Sequence, residues 1–216
     1  MNNPFPFSDD NKRYNTFNYF LRHTFGTKVF KVSLNAGFTC PNIDGTKGFG
    51  GCTYCSDSGS GDFAGNPKDN ILKQFYEVKN MMHHKWSDAK YIGYFQAHTN
   101  TYAPLERLKE VYEPILNEDN VVGLSIATRA DCISDDVLDY LEEINKRTFL
   151  MVELGLQSIN DETGKRINRC HTYKDFLNGY NRLKKRGIRV CVHVINGLPG
   201  ETKEDMINTV KTISQL

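Results

Sequence analysis

The sequence predicts an α/β fold, a parallel sheet curled into a partial (β/α) barrel that lacks its last strand. Three observations lead there. Five short stretches rich in β-branched and aromatic residues alternate with stretches of helical periodicity, and such alternation implies parallel strands joined by right-handed crossovers. The chain has 216 residues, of which 39% are hydrophobic and 25% charged, enough apolar material for a real core. Five strand–helix units are too few to close a barrel of this kind.

Residues 1–28 are polar and aromatic and read as a lead-in segment, with a helix over 11–25; residues 29–216 read as the core. The first strand is Val29–Leu34 (VFKVSL). A helix over 70–85 follows, with apolar residues at 71, 72, 75, 78, 81 and 82. The second strand is 91–96 (YIGYFQ). The helix over 104–116 opens with Pro104 at its first helical position. The third strand is Val121–Thr128 (VVGLSIAT). The helix over 134–145 begins Ser134-Asp135-Asp136, a cap followed by acid in the first turn, which suits the helix dipole. The fourth strand is 149–156 (FLMVELGL). The helix over 173–186 ends in Lys184, Lys185 and Arg186 and stops at Gly187. The fifth strand is 189–195 (RVCVHVI), and a last helix over 201–216 follows the Pro199-Gly200 turn.

Lys and Arg total 27 and Asp and Glu 26, a net charge of +1, so the surface as a whole is not a polyelectrolyte partner for nucleic acid. No apolar run reaches 18 residues, which argues against a membrane partner. The N-terminus lacks an apolar signal core. A cytoplasmic location with reduced thiols follows as the expectation. Six cysteines are too few for a small disulfide scaffold, so metal binding, chemistry or core packing are their expected uses.

Parallel α/β folds place their chemistry at the C-terminal ends of the strands. The loop after the first strand holds Cys40, Cys52 and Cys55, a C-x11-C-x2-C spacing, with five glycines between 37 and 51 to let the backbone wrap a centre. Three thiolates leave one position open. Zinc with a distant fourth ligand, such as His98 or Cys132, fits that count, and so does a [4Fe–4S] cluster with one iron not held by protein. Cys132, Cys170 and Cys191 show no ligand spacing, and His23, His83, His84 and His171 form no ligand cluster. Glu153 stands inside an apolar strand, where a charge must be paired or face a polar interior.

The cysteine loop, together with KVFKVSLNAGFTCPN, YFQAHTNTYAP, VELGLQSIND and HVINGLPGET, resembles the radical S-adenosylmethionine (radical SAM) superfamily from about residue 12 onward. The resemblance is to a bacterial subfamily related to the elongator catalytic subunit and to oxygen-independent coproporphyrinogen oxidase. That subfamily has a long first cysteine spacer and an aromatic residue before the last cysteine, here Tyr54. The resemblance implies an enzyme in which Cys40, Cys52 and Cys55 hold a [4Fe–4S] cluster. S-adenosylmethionine is then cleaved to a 5′-deoxyadenosyl radical that abstracts hydrogen from substrate. It places Gln96 and Asn100 near the methionine amino group, with Thr101 beside them. Thr128, Arg129 and Asp131 fall on the site wall, and Ala127 stands where relatives carry Glu. Glu153 and Ser158 join the cofactor-binding set, Gln157 contacts the ribose, and Arg169 pairs with the methionine carboxylate through its planar fork. His193 stands where relatives place an acid facing the ribose, and residues 196–200 form the turn near adenine. An external one-electron reductant of the flavodoxin or ferredoxin type is implied as partner.

Two features bear on substrate. Kinship with the elongator subunit suggests tRNA, at a wobble uridine. The basic set Lys165, Arg166, Arg169, Lys174, Arg182, Lys184, Lys185, Arg186 and Arg189, with Tyr173 and Tyr180 among them, is either an RNA grip or a solvated helix face. A zinc-bearing binding module and a porphyrin-metabolism enzyme are the alternatives.

Overall fold

A computed structural model describes residues 12–56, 58–59, 64–83 and 86–216. The elements run α1 (Phe17–Phe25), β1 (Val29–Leu34), α2 (Ile71–His83), β2 (Lys90–Phe95), α3 (Leu105–Leu116), β3 (Val121–Thr128), α4 (Asp135–Arg147), β4 (Phe149–Gln157), α5 (Asp161–Arg166), α6 (Tyr173–Lys185), β5 (Arg189–Val194) and α7 (Lys203–Ile213). The strands form one sheet in the order β1-β2-β3-β4-β5, and every pair is parallel.

Strand parity sorts the sheet into two faces. On β4, Leu150, Val152, Leu154 and Leu156 pack against the helices with Phe75, Leu108, Ile115, Leu141 and Phe176. Phe149 and Met151 face the other, concave side, where Leu21 of α1 closes on them together with Val29 and Ile92. α1 thus plugs the N-terminal ends of the strands with apolar side chains. Glu153 follows on that same concave face, above the plug.

Several boundaries differ from the sequence expectation. Pro104 is the N-cap of α3, with φ −57° and ψ 148°, and the helix begins at Leu105. β2 starts one residue earlier and releases Gln96, while β4 runs on to Gln157 and β5 stops at Val194. α5 was not expected: six residues are too short for a periodic signal, and the Asn160 side chain caps it by accepting from the Glu162 and Thr163 amides. α7 is shorter than 201–216 because a capping box, Thr202 with Asp205, sets its start. The N-terminal residue of the expected 11–25 helix and the last two of the 70–85 helix lie outside the described residues.

Candidate active site

A cavity of about 300 Å³ opens at the C-terminal edge of the concave face. Cys40, Cys52 and Cys55 line it, with Thr128, Glu153, Gln157 and His193. Seven of the eleven residues expected at the site therefore share one space. Backbone strain concentrates around it. Ala97, His98 and Gln157 hold positive φ values of 75°, 57° and 67°, a region non-glycine residues rarely occupy and one that clusters at functional sites. The Gln157 side chain folds back over Gly155, its Nε2 lying 2.8 Å from where a Cβ at 155 would stand.

The cysteine loop is stapled to the segment after α5. Asn42, fully buried, donates through Nδ2 to the carbonyls of Asn168 (2.6 Å) and Arg169 (3.1 Å) and lies 3.3 Å from Cys52 Sγ. Asn168 answers by donating to the Gly51 carbonyl (2.7 Å) and the Phe49 carbonyl (3.0 Å). The Thr53 amide donates to the Ile167 carbonyl (3.0 Å). Lys47, from the same loop, reaches Asp131, which also pairs with Arg129 at 2.9 Å. Burial opposes the Asp131 charge, but Arg129 and Lys47 hold its carboxyl down at about 2. The Cys52 thiol is lowered to about 6, first by a hydrogen bond with Cys55 and then by Tyr54, Asn42 and the Arg129 charge. The same bond pushes the Cys55 thiol up.

Four expected residues stand outside the cavity lining, each for a visible reason. Arg169 is 1% exposed and its guanidinium is occupied. Its Nε donates to the His171 carbonyl (2.9 Å), Nη1 to those of Leu156 (2.7 Å) and Ser158 (2.6 Å), and Nη2 to Asp161 (3.0 Å). Ser158 donates to Glu201 and accepts from the Asn160 amide. Asn100 donates to the carbonyls of Ala97 and Ala127, tying the β2 turn to β3. Gln96 is buried where β2 ends. Ser158, Asn100 and Arg169 thus frame the wall from behind.

Sequence reasoning passed over His171, and the structure puts it in the cavity wall. Both of its ring nitrogens are buried without a partner, as is Thr99 Oγ1, another lining atom. Burial first, then the charges of Arg129 and Arg169, lowers His171 to about 4, so it is neutral near pH 7. Buried polar atoms are nearly always hydrogen-bonded, and three orphans around one cavity are what a polar ligand would satisfy. The only signal in the sequence was a histidine two residues after Arg169. The basic set is mostly engaged within the chain. Lys165 pairs with Glu162, Arg182 with Asp135 and Arg186 with Asp139 and Glu142. Arg166 donates to the Pro199 carbonyl, Arg189 stacks over Phe149, and Tyr180 is buried. That pairing favours the helix-face alternative over an RNA grip.

The three cysteines fit an iron–sulfur cluster better than a single ion. Among the described residues, the set whose ligand atoms lie within 4.8 Å of one another is Glu153, Cys191 and His193, and the three cysteine sulfurs do not form such a set. A single tetrahedral ion draws its ligands together, whereas a multi-iron group spans a wider triangle of thiolates. The cavity, the thiols and the orphaned polar atoms beside them suit a cluster with a bound polar cofactor.

Comparison with known proteins bears on the same residues. A family model described as "Radical SAM superfamily" matches residues 45–213. The chain is 58% identical over 216 residues to an uncharacterized protein of Bacillus subtilis, YtqA, covering 100% of this chain and 67% of that one. It is 37% identical over 203 residues to protein YhcC of Escherichia coli, covering 94% and 64%. It is 26% identical over 173 residues to a tRNA-2-methylthio-N(6)-dimethylallyladenosine synthase of Finegoldia magna, covering 76% and 36%. Two solved structures share the fold. Elp3 of Methanocaldococcus infernus superposes with a TM-score of 0.59 at 21% identity over 86% of this chain and 42% of that one. Coproporphyrinogen III oxidase (HemN) of Escherichia coli does so with 0.54 at 16% identity over 91% and 44%. The chain spans about two thirds of the length of the YtqA and YhcC relatives.

Proposed function

The chain belongs to the radical SAM superfamily, whose enzymes use a [4Fe–4S] cluster and S-adenosylmethionine, and from that premise we propose that Cys40, Cys52 and Cys55 hold the cluster and that the cavity beside them seats the cofactor. Residues 29–216 make the core of this reading, with α1 (Phe17–Phe25) packed against it through Leu21. The observation that carries the proposal is the meeting of three cysteines and three orphaned buried polar atoms in one cavity at the C-terminal edge of a parallel sheet. When bound, the cluster and cofactor supply one-electron cleavage of a carbon–sulfur bond and a 5′-deoxyadenosyl radical that takes hydrogen from substrate.

The chain's residues bind, orient and exclude water. Thr128, Gln157 and His193 offer hydrogen-bonding groups along the wall, and Thr99 and His171 offer their unpartnered atoms. Arg129 is a cation in the cavity wall whose nitrogens are already engaged, Nε and Nη2 with Asp131 and Nη1 with the Arg169 carbonyl, so it acts through its charge. Arg169 positions rather than touches. Its guanidinium fixes the backbone whose carbonyls receive Asn42 and Arg129, so it holds the cysteine loop at one remove. Gln96, Asn100 and Ser158 act the same way, through the turns they close. Glu153 belongs to the inner end of the cavity. An external flavodoxin or ferredoxin would deliver the electron, in the cytoplasm, where thiols stay reduced.

As substrate we favour a tRNA base. Its support is the similarity to the Finegoldia magna tRNA-2-methylthio-N(6)-dimethylallyladenosine synthase and the kinship of the cysteine loop with the elongator subunit; the basic helix face adds nothing to it. The test is anaerobic reconstitution with iron and sulfide, followed by S-adenosylmethionine and dithionite. About four irons and four sulfides per chain are expected, with 5′-deoxyadenosine released, and both lost in Cys52→Ala. Zinc without sulfide, and no cleavage, would sink the proposal. Incubation of the reconstituted protein with unmodified and modified tRNA, read by nucleoside mass spectrometry, tests the substrate.

A further inference from the structure

The inner end of the cavity carries an unbalanced charge. Glu153 supplies one carboxylate, only 3% exposed, and two cationic side chains converge on it. Lys31 from β1 reaches Oε1, and His193 from β5 stands 2.7 Å from Oε2. Ser125 from β3 also donates to Oε1. Burial opposes ionisation of Glu153, but His193, Lys31 and Ser125 together hold it down at about 2. Cys191, 4.0 Å away, and Glu153 both raise His193 to about 9, and the shorter, fully charged contact is the one that keeps its proton. Lys31 and His193 against Glu153 leave one positive charge unmatched. Only the Glu153 carboxylate is buried; the surplus positive charge sits on the half-exposed His193, where an anion arriving from solvent can pair with it.

His193 is the group placed to meet it. Its side chain is 48% exposed, it lines the cavity, and its Nδ1 has no hydrogen-bond partner among the described residues. The charged layer lies deep. Glu153 precedes Gln157 by four strand residues, roughly 13 Å at about 3.3 Å per residue. The apolar plug of Leu21, Phe149 and Met151 closes the far side, and the half-exposed His193 on the edge strand β5 keeps the charged layer open to solvent. Glu153 Oε2, Cys191 Sγ and His193 Nε2 lie within 4.8 Å of one another, a spacing a divalent cation could bridge. The Lys31 ammonium on the same carboxylate opposes a second cation there and favours the anion.

We propose that Lys31, Glu153 and His193 form an anion-binding site at the inner end of the cavity, which anchors a carboxylate or phosphate group of the substrate through His193 Nδ1–H. That the anion belongs to substrate rests on the radical SAM reading; the binding itself does not.

The test uses the reconstituted chain with 13C-labelled histidine rings, the His193 resonance being assigned by its loss in His193→Gln. Acetate and inorganic phosphate are titrated at pH 7 against chloride at matched ionic strength. A saturable shift of the His193 resonance is expected, weakened about tenfold in Lys31→Met and kept in Lys31→Arg. Tighter acetate binding assigns a carboxylate, and tighter phosphate binding a phosphate. A shift no larger than that of chloride overturns the proposal, and so does an undiminished response in Lys31→Met. Iron and sulfide are counted on the same samples. A chain that takes no cluster yet binds the anion keeps the site and removes its link to radical chemistry. A chain that assembles the cluster but binds no anion sinks the anion site alone.

Discussion

Arg169 shows how far a single side chain can act from the chemistry. Its planar fork meets three carbonyls and a carboxylate at once, which the point charge of lysine cannot reproduce. Arg169→Lys should lower unfolding free energy by about 3 kcal/mol, by leaving buried carbonyls unpaired, and should reduce iron occupancy with it. A denaturant midpoint unchanged from wild type would count against this role. The residue type was legible in the sequence, but its fate was not, because nothing in a linear string says which carbonyls a buried guanidinium will find. Of the three cavity histidines, His193 and His171 set most of the pH dependence, and His98, lowered by burial, acts in the same direction as His171. His193, raised to about 9, adds stability that is fully present below its ordinary 6.5 and is lost as pH rises from there through 9. His171, lowered to about 4, works the other way: the unfolded chain takes up its proton first, so stability falls as pH drops from 6.5 toward 4. Thermal midpoints between pH 4 and 9.5 should peak near 6.5. In His193→Gln the alkaline decline should shrink, while in His171→Asn the acid decline should.

The cysteine loop is the element on which the site depends most and which has the least structure of its own. It gains rigidity from the 167–170 segment, through Asn42, Asn168 and the Thr53 amide. Asn42→Ala removes the hub of that staple. It should slow cluster assembly and raise the rate at which a chelator strips iron by about tenfold or more, since the Asn168 carbonyl loses its Asn42 donor and the Arg169 carbonyl keeps only Arg129. Global stability should fall less than in Arg169→Lys. Chelator-release kinetics beside a denaturation curve would separate the two effects, and an unchanged release rate would show that the staple does not bear on the centre. The sequence showed the loop as a ligand-bearing segment through its cysteine spacing and glycines. It did not show the staple, because Asn42 and Asn168 stand 126 residues apart and only the turn after α5 brings them together. α5 itself is too short to announce its presence by periodicity.

At the scale of the whole molecule, strand–helix alternation was readable because each strand is a short stretch rich in β-branched and aromatic residues and the helices between them keep their period, so parallel pairing followed from connection rules. The concave face was harder to read. There the apolar plug gives way to a charged layer and then to thiols within a few residues of the same strand, a change of environment that Glu153 alone hinted at. This layering predicts an uneven stability across the sheet. β3 and β4 lie between two neighbours each, and most of their residues are buried. β5 pairs on one side only, and the exposed Arg189 and His193 frame a strand with no fully buried residue. Opening the β5 edge breaks one ladder and exposes little apolar surface; opening β4 breaks two and empties the core. In hydrogen exchange read by mass spectrometry, amides of β3 and β4 should be the last to exchange, near the global unfolding free energy. Those of β5 and α7 should exchange well before them through partial opening. Binding of the cluster or of an anion beside His193 should slow β5 selectively, because the cavity spans from the β1 loop to β5 and ties the edge strand to the far side of the sheet. Uniform protection across all five strands would mean that the sheet opens as one unit and that the edge owes nothing to the site.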